Sequence, residues 1–238
     1  MTIHCSDLTS GSPADAPATA VAVVSPASTG QGPDAPAWAY RRLGKRVFDL
    51  VVVLMFLPIA VIVVGLLAGC IALSGGAPFY TQDRVGRNGV FYRMWKLRTM
   101  VVDAEQRLDQ HLLADPTARL EWDSTQKLRC DPRITPIGRF LRASSLDELP
   151  QLWNVLRGDM SLIGPRPMMP SQIPLYPGSA YYRLRPGISG SWQVSARNAS
   201  TFAERAVFDA DYDGKVSLRE DMRILAATVR VVLRRTGH

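Results

Sequence analysis

Between Leu50 and Leu73 the chain runs for 24 residues without a charge, LVVVLMFLPIAVIVVGLLAGCIAL. As a helix this is long enough to cross the hydrocarbon core of a bilayer, so the pattern predicts a membrane-embedded helix. Arg41, Arg42, Lys45 and Arg46 precede the run, and Arg84, Arg87, Arg93, Lys96 and Arg98 follow it. Cationic flanks stay on the cytoplasmic side, which draws both ends to one face. Pro58, near the middle, removes one backbone hydrogen bond and favours a bend. The expectation is a kinked, re-entrant helix, with a straight span as the alternative.

Downstream the pattern becomes that of a small folded domain. Asn88-Gly89, set between PFYTQDRVGR and VFYRMWKL, predicts a tight hairpin. Its second strand places Phe91, Arg93, Trp95 and Leu97 on one face and Tyr92, Met94, Lys96 and Arg98 on the other. Residues 101–129 read as polar helix broken near Pro116, and DPRITPIGRFLRASS as a loop entering a helix. Prolines 165, 167, 170, 174, 177 and 186 mark an irregular, rigid stretch, after which residues 200–235 return to helical spacing. Residues 1–38 are rich in Ala, Pro, Ser and Gly with few large side chains, which predicts a disordered leader. The leader has no basic segment before an apolar one and so does not read as a signal peptide.

Charge narrows the function. The net charge is +7, and residues 1–40 hold three Asp and no Lys, Arg or Glu, which leaves +10 for the rest. A body this basic suits phosphorylated substrates, nucleic acid or an anionic membrane face. Nucleic acid is set aside, because the basic residues bracket the apolar run or sit among prolines and form no reading helix or aromatic strand. Cys5, Cys70 and Cys130, like His4, His111 and His238, are scattered, which argues against a zinc site or a Ser–His–Asp triad.

The densest chemistry lies in Arg142–Pro167, RASSLDELPQLWNVLRGDMSLIGPRP. Ser145-x-x-Glu148 reads as a capping box at a helix start. A helix N-terminus would stabilise ionised Asp147, suiting it to bind a divalent cation or attack as a nucleophile. Mg²⁺ favours one or two carboxylates completed by substrate phosphates. Arg142 stands five residues upstream, and Arg166 is held between Pro165 and Pro167 as a phosphate clamp. Carboxylates, metal and arginines are the parts that phosphoryl transfer needs. A competing pattern, Asp209 to Glu220, satisfies a twelve-residue calcium loop with Gly214 at its sixth position. It supports the alternative of a non-catalytic, membrane-bound calcium-binding or scaffold protein.

Taken in order, KRVFDL, QDRVGRNG, KLRTM, DPRITPIGRFLR, SLDELPQLWNVLRGDMSLIGPRP, RPGISG and Trp192-Gln193-Val194 before Arg197-Asn198 resemble the bacterial sugar transferase family. The likeness is to its monotopic polyprenyl-phosphate phosphoglycosyl transferases of the exopolysaccharide-priming type, and runs from about Lys45 to Val232. It implies a helix-rich α/β catalytic domain held on the cytoplasmic face of the bacterial inner membrane by a re-entrant helix. The expected division is a leader 1–40, a membrane-embedded helix with basic flanks 41–76, and a catalytic domain 77–238. The resemblance implies Mg²⁺-dependent transfer of a sugar-1-phosphate, expected to be a hexose-1-phosphate, from a UDP-sugar to polyprenyl (undecaprenyl) phosphate. UMP is released. Asp147 matches the nucleophile and a metal contact, and Glu148 its partner carboxylate and metal ligand. Arg142, Arg166 and Arg197 match phosphate-binding positions, with Lys96 a further basic candidate. Inner-membrane lipids are expected neighbours, and a homo-oligomer is allowed.

Overall fold

The computed structural model describes residues 39–125, 128, 130–195 and 201–233. The expected leader up to residue 38 lies outside them, as does Arg197. The chain enters through a π-helical turn, Tyr40–Gly44, that continues into helix α1, Lys45–Leu73. Among the described residues this is the one helix long and apolar enough to cross a membrane. It runs unbroken through Pro58.

The basic residues ahead of α1 are not left to solvent. Arg46 donates to the carbonyls of Val155 and Leu156, and Arg41 pairs with Asp213. Lys45 Nζ lies 2.8 Å from Asp221, whose fully buried carboxylate also accepts from the hydroxyls of Tyr40 and Tyr212, each at 2.6 Å. Buried charge is tolerated when it is paired and hydrogen-bonded in this way. One turn further, Asp49 accepts the Leu162 backbone N–H at 3.0 Å. Arg41, Lys45 and Arg46, read as membrane flank, thus dock the helix onto the domain.

Strands β1 (Phe79–Val85) and β2 (Phe91–Leu97) form the expected antiparallel hairpin. Asn88 and Gly89 take left-handed conformations (φ 58° and 77°), which the short polar side chain of Asn tolerates and the missing Cβ of Gly allows. The polar stretch splits where Pro116 predicted, into α2 (Ala104–Ala114) and α3 (Pro116–Thr125). Helix α4, Pro136–Ser144, is capped by Thr135, whose hydroxyl accepts the Gly138 N–H. A short 3₁₀ turn, Leu146–Glu148, then leads to α5, Gln151–Arg157. Strand β3 (Ser161–Ile163) pairs in parallel with β4 (Gly187–Ser189), with α6 (Ala180–Arg183) between them in sequence. Helices α7 (Ser191–Ser195), α8 (Arg205–Lys215) and α9 (Leu218–Leu233) complete a helix-rich fold with two small sheets.

The main core gathers Val53 of α1, Met94 of β2, Val155 of α5, Met160, Leu162, Ile163, Tyr212, Val216 and Ile224. A second cluster joins Ile71, near the end of α1, to Leu97 and Leu141, with Leu67, Ala68 and Leu146 packed against it. One folded body therefore touches α1 near both ends, while Leu54, Met55, Phe56, Ile59, Ile62 and Leu66 remain exposed.

Two expectations are corrected. Ser145 does not cap a helix N-terminus. It closes α4 in a left-handed conformation (φ 56°, ψ 19°), and its side chain caps nothing. Leu146, drawn into the Leu97–Leu141 cluster, accounts for the turn that follows. The calcium loop is also absent: Asp209, Asp211 and Asp213 lie inside helix α8. Asp209 accepts the Tyr176 hydroxyl, Asp213 pairs with Arg41 and Arg183, and Glu220 pairs with Arg223 in the first turn of α9. Carboxylates on a continuous helix and tied to cations cannot wrap one ion as a loop does.

Candidate active site

Three elements bring the candidate residues together. Strand β2 presents Lys96 on the same side as Met94, which anchors that face in the core. Its register is pinned by Asn154, a fully buried side chain that accepts the Trp95 N–H at 3.0 Å and donates to the Arg93 carbonyl at 2.8 Å. Helix α4 supplies Arg142. Its first turn lies against Thr99 because position 138 is glycine; a Cβ there would stand 2.0 Å from the Thr99 carbonyl oxygen. One turn later Arg142 Nε donates to the Thr99 hydroxyl at 2.9 Å. The 3₁₀ turn between α4 and α5 carries Asp147 and Glu148.

Lys96 is the hub. Its ammonium lies 2.7 Å from Glu148 Oε1 and 3.9 Å from Asp147 Oδ2. Burial raises the Asp147 carboxyl above the usual range, and Glu148 adds to this; Lys96 and Arg142 oppose it without cancelling it. Burial pushes Glu148 the same way. There, however, the charges of Lys96 and Arg166 and hydrogen bonds with Lys96 and Gln151 win, and its carboxyl is held low. Two adjacent carboxylates driven apart in this way are suited to different tasks. From the sequence alone, Asp147 is expected to be stabilised as an ion by a helix N-terminus. Asp147 sits instead in a single 3₁₀ turn, where burial outweighs any help from backbone N–H groups and raises its affinity for protons.

Asp147 meets Lys96 only at 3.9 Å and its carboxylate hydrogen-bonds to no other described residue, which leaves it open to a further ligand. No group of three or more His, Cys, Asp or Glu among those residues could hold a metal. Two neighbouring carboxylates, one uncommitted, still fit Mg²⁺, which draws its remaining ligands from phosphate and water.

Arg166 follows β3 and is exposed. Its approach is fixed by close backbone packing: a Cβ on Gly164 would meet the Arg185 carbonyl oxygen at 2.2 Å and the Gly187 nitrogen at 2.9 Å. It lies near enough to influence Glu148 electrostatically and sits 5.9 Å from the Trp192 ring centre. The structure thus gathers Asp147, Glu148, Lys96, Arg142 and Arg166. Sequence reasoning missed Thr99, Gln151 and Asn154, which meet the site only through tertiary packing.

Immediately after Glu148, Leu149 and Pro150 form one wall of an apolar groove of about 450 Å³. Leu57, Val61 and Val64 of α1 form another, and Phe79, Trp95 and Trp153 complete it. Phe79 and Trp95 meet edge to face at 6.2 Å. The charged cluster therefore adjoins an apolar groove along the helix that is long enough to enter a membrane.

Residues 40–235 match the family model described as bacterial sugar transferase, and the chain belongs to this family. Over 198 residues it is 46% identical to the UDP-galactose-lipid carrier transferase of Erwinia amylovora. It is 45% identical over 198 residues to the undecaprenyl-phosphate galactose phosphotransferase of Salmonella typhimurium. Each match takes in 82% of this chain and 42% of the relative, so the chain spans less than half the length of these two proteins. It is also 40% identical over 196 residues to the exopolysaccharide production protein ExoY of Rhizobium meliloti, covering 80% of this chain and 85% of ExoY.

Proposed function

We propose that the protein transfers a sugar-1-phosphate, of hexose type, from a UDP-sugar to polyprenyl (undecaprenyl) phosphate, releasing UMP and priming exopolysaccharide synthesis. The observation that carries this reading is the junction of the Asp147–Glu148–Lys96 cluster with the apolar groove. A lipid phosphate has one charged end and one hydrocarbon end, and the junction matches both. The names of the relatives point the same way.

In the first half-reaction an Asp147 oxygen attacks the phosphorus that bears the sugar. A new P–O bond forms to the carboxylate, the bond to the bridging oxygen breaks, and UMP leaves with that electron pair. In the second, a phosphate oxygen of the lipid attacks the same phosphorus and displaces Asp147, giving the lipid diphosphate sugar. Each half is an easier displacement than a single three-body step, and the sequence is ping-pong. Asp147's raised proton affinity makes it the better nucleophile of the two carboxylates once ionised. Lys96 and Arg142 hold its charge in place, and Arg166 offers a fork to phosphate oxygens. Mg²⁺ bound through Asp147 and Glu148 would neutralise charge on the phosphates.

The same reading places α1 in the cytoplasmic leaflet of the inner membrane, entering and leaving on one face. From Asp49 to Ile71 a helix rises about 33 Å, comparable to the whole hydrocarbon core. A straight span would carry Ile71 to the far side, yet Ile71 packs with Leu97 and Leu141 beside the candidate site.

The test is UMP release by nanodisc-held protein given Mg²⁺, polyprenyl phosphate and a panel of UDP-sugars. Release that needs both lipid and metal, with one sugar preferred, is expected. No release from any donor, with folded protein and an active control enzyme, overturns the reading.

A further inference from the structure

Beyond the carboxylates, three guanidinium groups converge without an ion-pair partner among the described residues. Arg205 of α8 lies 4.2 Å from the centre of the Trp192 ring, and Arg166 lies 5.9 Å from the same centre. Arg84 of β1 reaches over from the hairpin and donates to the carbonyl of Pro167, the residue after Arg166, at 3.2 Å. None of the three takes part in an ion pair among the described residues. The Nε atoms of Arg84 and Arg205 are buried and lack hydrogen-bond partners.

That arrangement costs free energy. A buried donor without an acceptor forfeits about 1–3 kcal/mol, and like charges held together repel. Burial and the neighbouring arginines both push the Arg84 and Arg205 guanidinium groups down. The carboxylate close to Arg205 is Asp209, which is buried, accepts the Tyr176 hydroxyl at 2.9 Å and is raised to about 7 by burial. It is a partial counter-charge at neutral pH.

We propose that Arg84 and Arg205 join Arg166 in a cluster that binds a phosphate group of the substrate, adjoining the Asp147–Glu148 pair. An anion with several oxygens would accept from the idle Nε atoms and neutralise the mutual repulsion. The inference rests on the proposed transfer reaction only for the identity of the anion. The donor diphosphate is favoured, because the lipid phosphate already has a place where the apolar groove meets Glu148.

The test is equilibrium binding to full-length protein in nanodiscs, using UDP as one probe and a short-chain prenyl phosphate as the other. Arg205→Gln and, separately, Arg84→Gln are expected to weaken UDP binding about 10- to 100-fold, as loss of a charge-assisted hydrogen bond predicts. Prenyl phosphate binding should change less than about threefold. Arg205→Lys, which keeps the charge and loses the fork, should fall between. A loss confined to prenyl phosphate would keep the phosphate cluster and assign it to the acceptor, overturning the donor assignment. Unchanged binding of both probes in folded Arg84→Gln and Arg205→Gln proteins overturns the cluster. Because binding is read without turnover, a protein that binds UDP through these arginines yet releases no UMP would sink the transfer reading alone.

Discussion

Replacing Lys96 by methionine tests whether the site works by charge. The substitution keeps most of the apolar stem and removes an ammonium 3.9 Å from Asp147 and 2.7 Å from Glu148. Two unit charges at 3.9 Å interact by about 4 kcal/mol at an effective dielectric of about 20, and by about 2 kcal/mol if water doubles the screening. The Lys96 side chain is 21% exposed, which favours the smaller figure. Losing that interaction raises the proton affinity of a carboxyl already raised by burial. The acid limb of kcat/KM should therefore move up by about 1.5 to 3 pH units. The limb belongs to the Asp147–Glu148 pair rather than to either residue alone. UMP release measured from pH 5.5 to 9 should show a deep deficit at the acid end that narrows at the alkaline end. Lys96→Arg should restore most of the profile. A Lys96→Met profile running parallel to wild type, lower by one factor at every pH, would refute the reasoning and reduce Lys96 to a packing residue.

Other consequences follow from groups away from the reacting atoms. Asp221→Ala strands the Tyr40 and Tyr212 hydroxyls and the Lys45 ammonium, at a cost of about 3–5 kcal/mol. Its melting temperature in detergent should fall by at least about 6 °C; a drop under 2 °C would contradict the network's role in docking α1. Burial raises Asp209 to about 7, against Tyr176 and Arg205, so the folded protein keeps a proton that the unfolded chain releases from about pH 4 upward. Stability tied to Asp209 therefore falls as pH rises toward 7, by at most about 1.4 kcal/mol per unit. Asp209→Asn should flatten the melting profile over that window relative to wild type, and identical slopes would exclude the effect. Gly138→Ala drives a methyl group into the Thr99 carbonyl. It should cost about 1–3 kcal/mol and lower activity through Arg142, as a melt and a UMP assay on the same sample would show.

What could be read from the sequence was what neighbouring residues decide among themselves. Asn88-Gly89 carries its own conformational preference, and Pro116 and Thr135-Pro136 set helix ends within a few residues. The 24-residue apolar run announces itself by length. Ser145 misled because Ser-x-x-Glu fits an N-cap and a left-handed exit from a helix equally well. Leu146's place among Leu97, Leu141 and Ile71, which no local pattern encodes, decided between them. The calcium-loop pattern failed for the same reason, since the partners of Asp213 are Arg41 and Arg183, far away in sequence. Arg41, Lys45 and Arg46 look like a membrane flank until the acids and carbonyls they meet are known. Asp147, Glu148 and Arg166 could be singled out because their residue types already suit phosphate chemistry. Lys96 gained its central position only when the hairpin packed on α5.

The central claim, a sugar phosphate carried on Asp147, is tested most directly by intact-protein mass spectrometry of nanodisc-held protein mixed with Mg²⁺ and each UDP-sugar of a panel, with the lipid acceptor withheld. The account predicts an added mass of one sugar phosphate that maps to Asp147, disappears when polyprenyl phosphate is supplied, and is absent from Asp147→Asn. Lipid-dependent UMP release that persists undiminished in Asp147→Asn would contradict it.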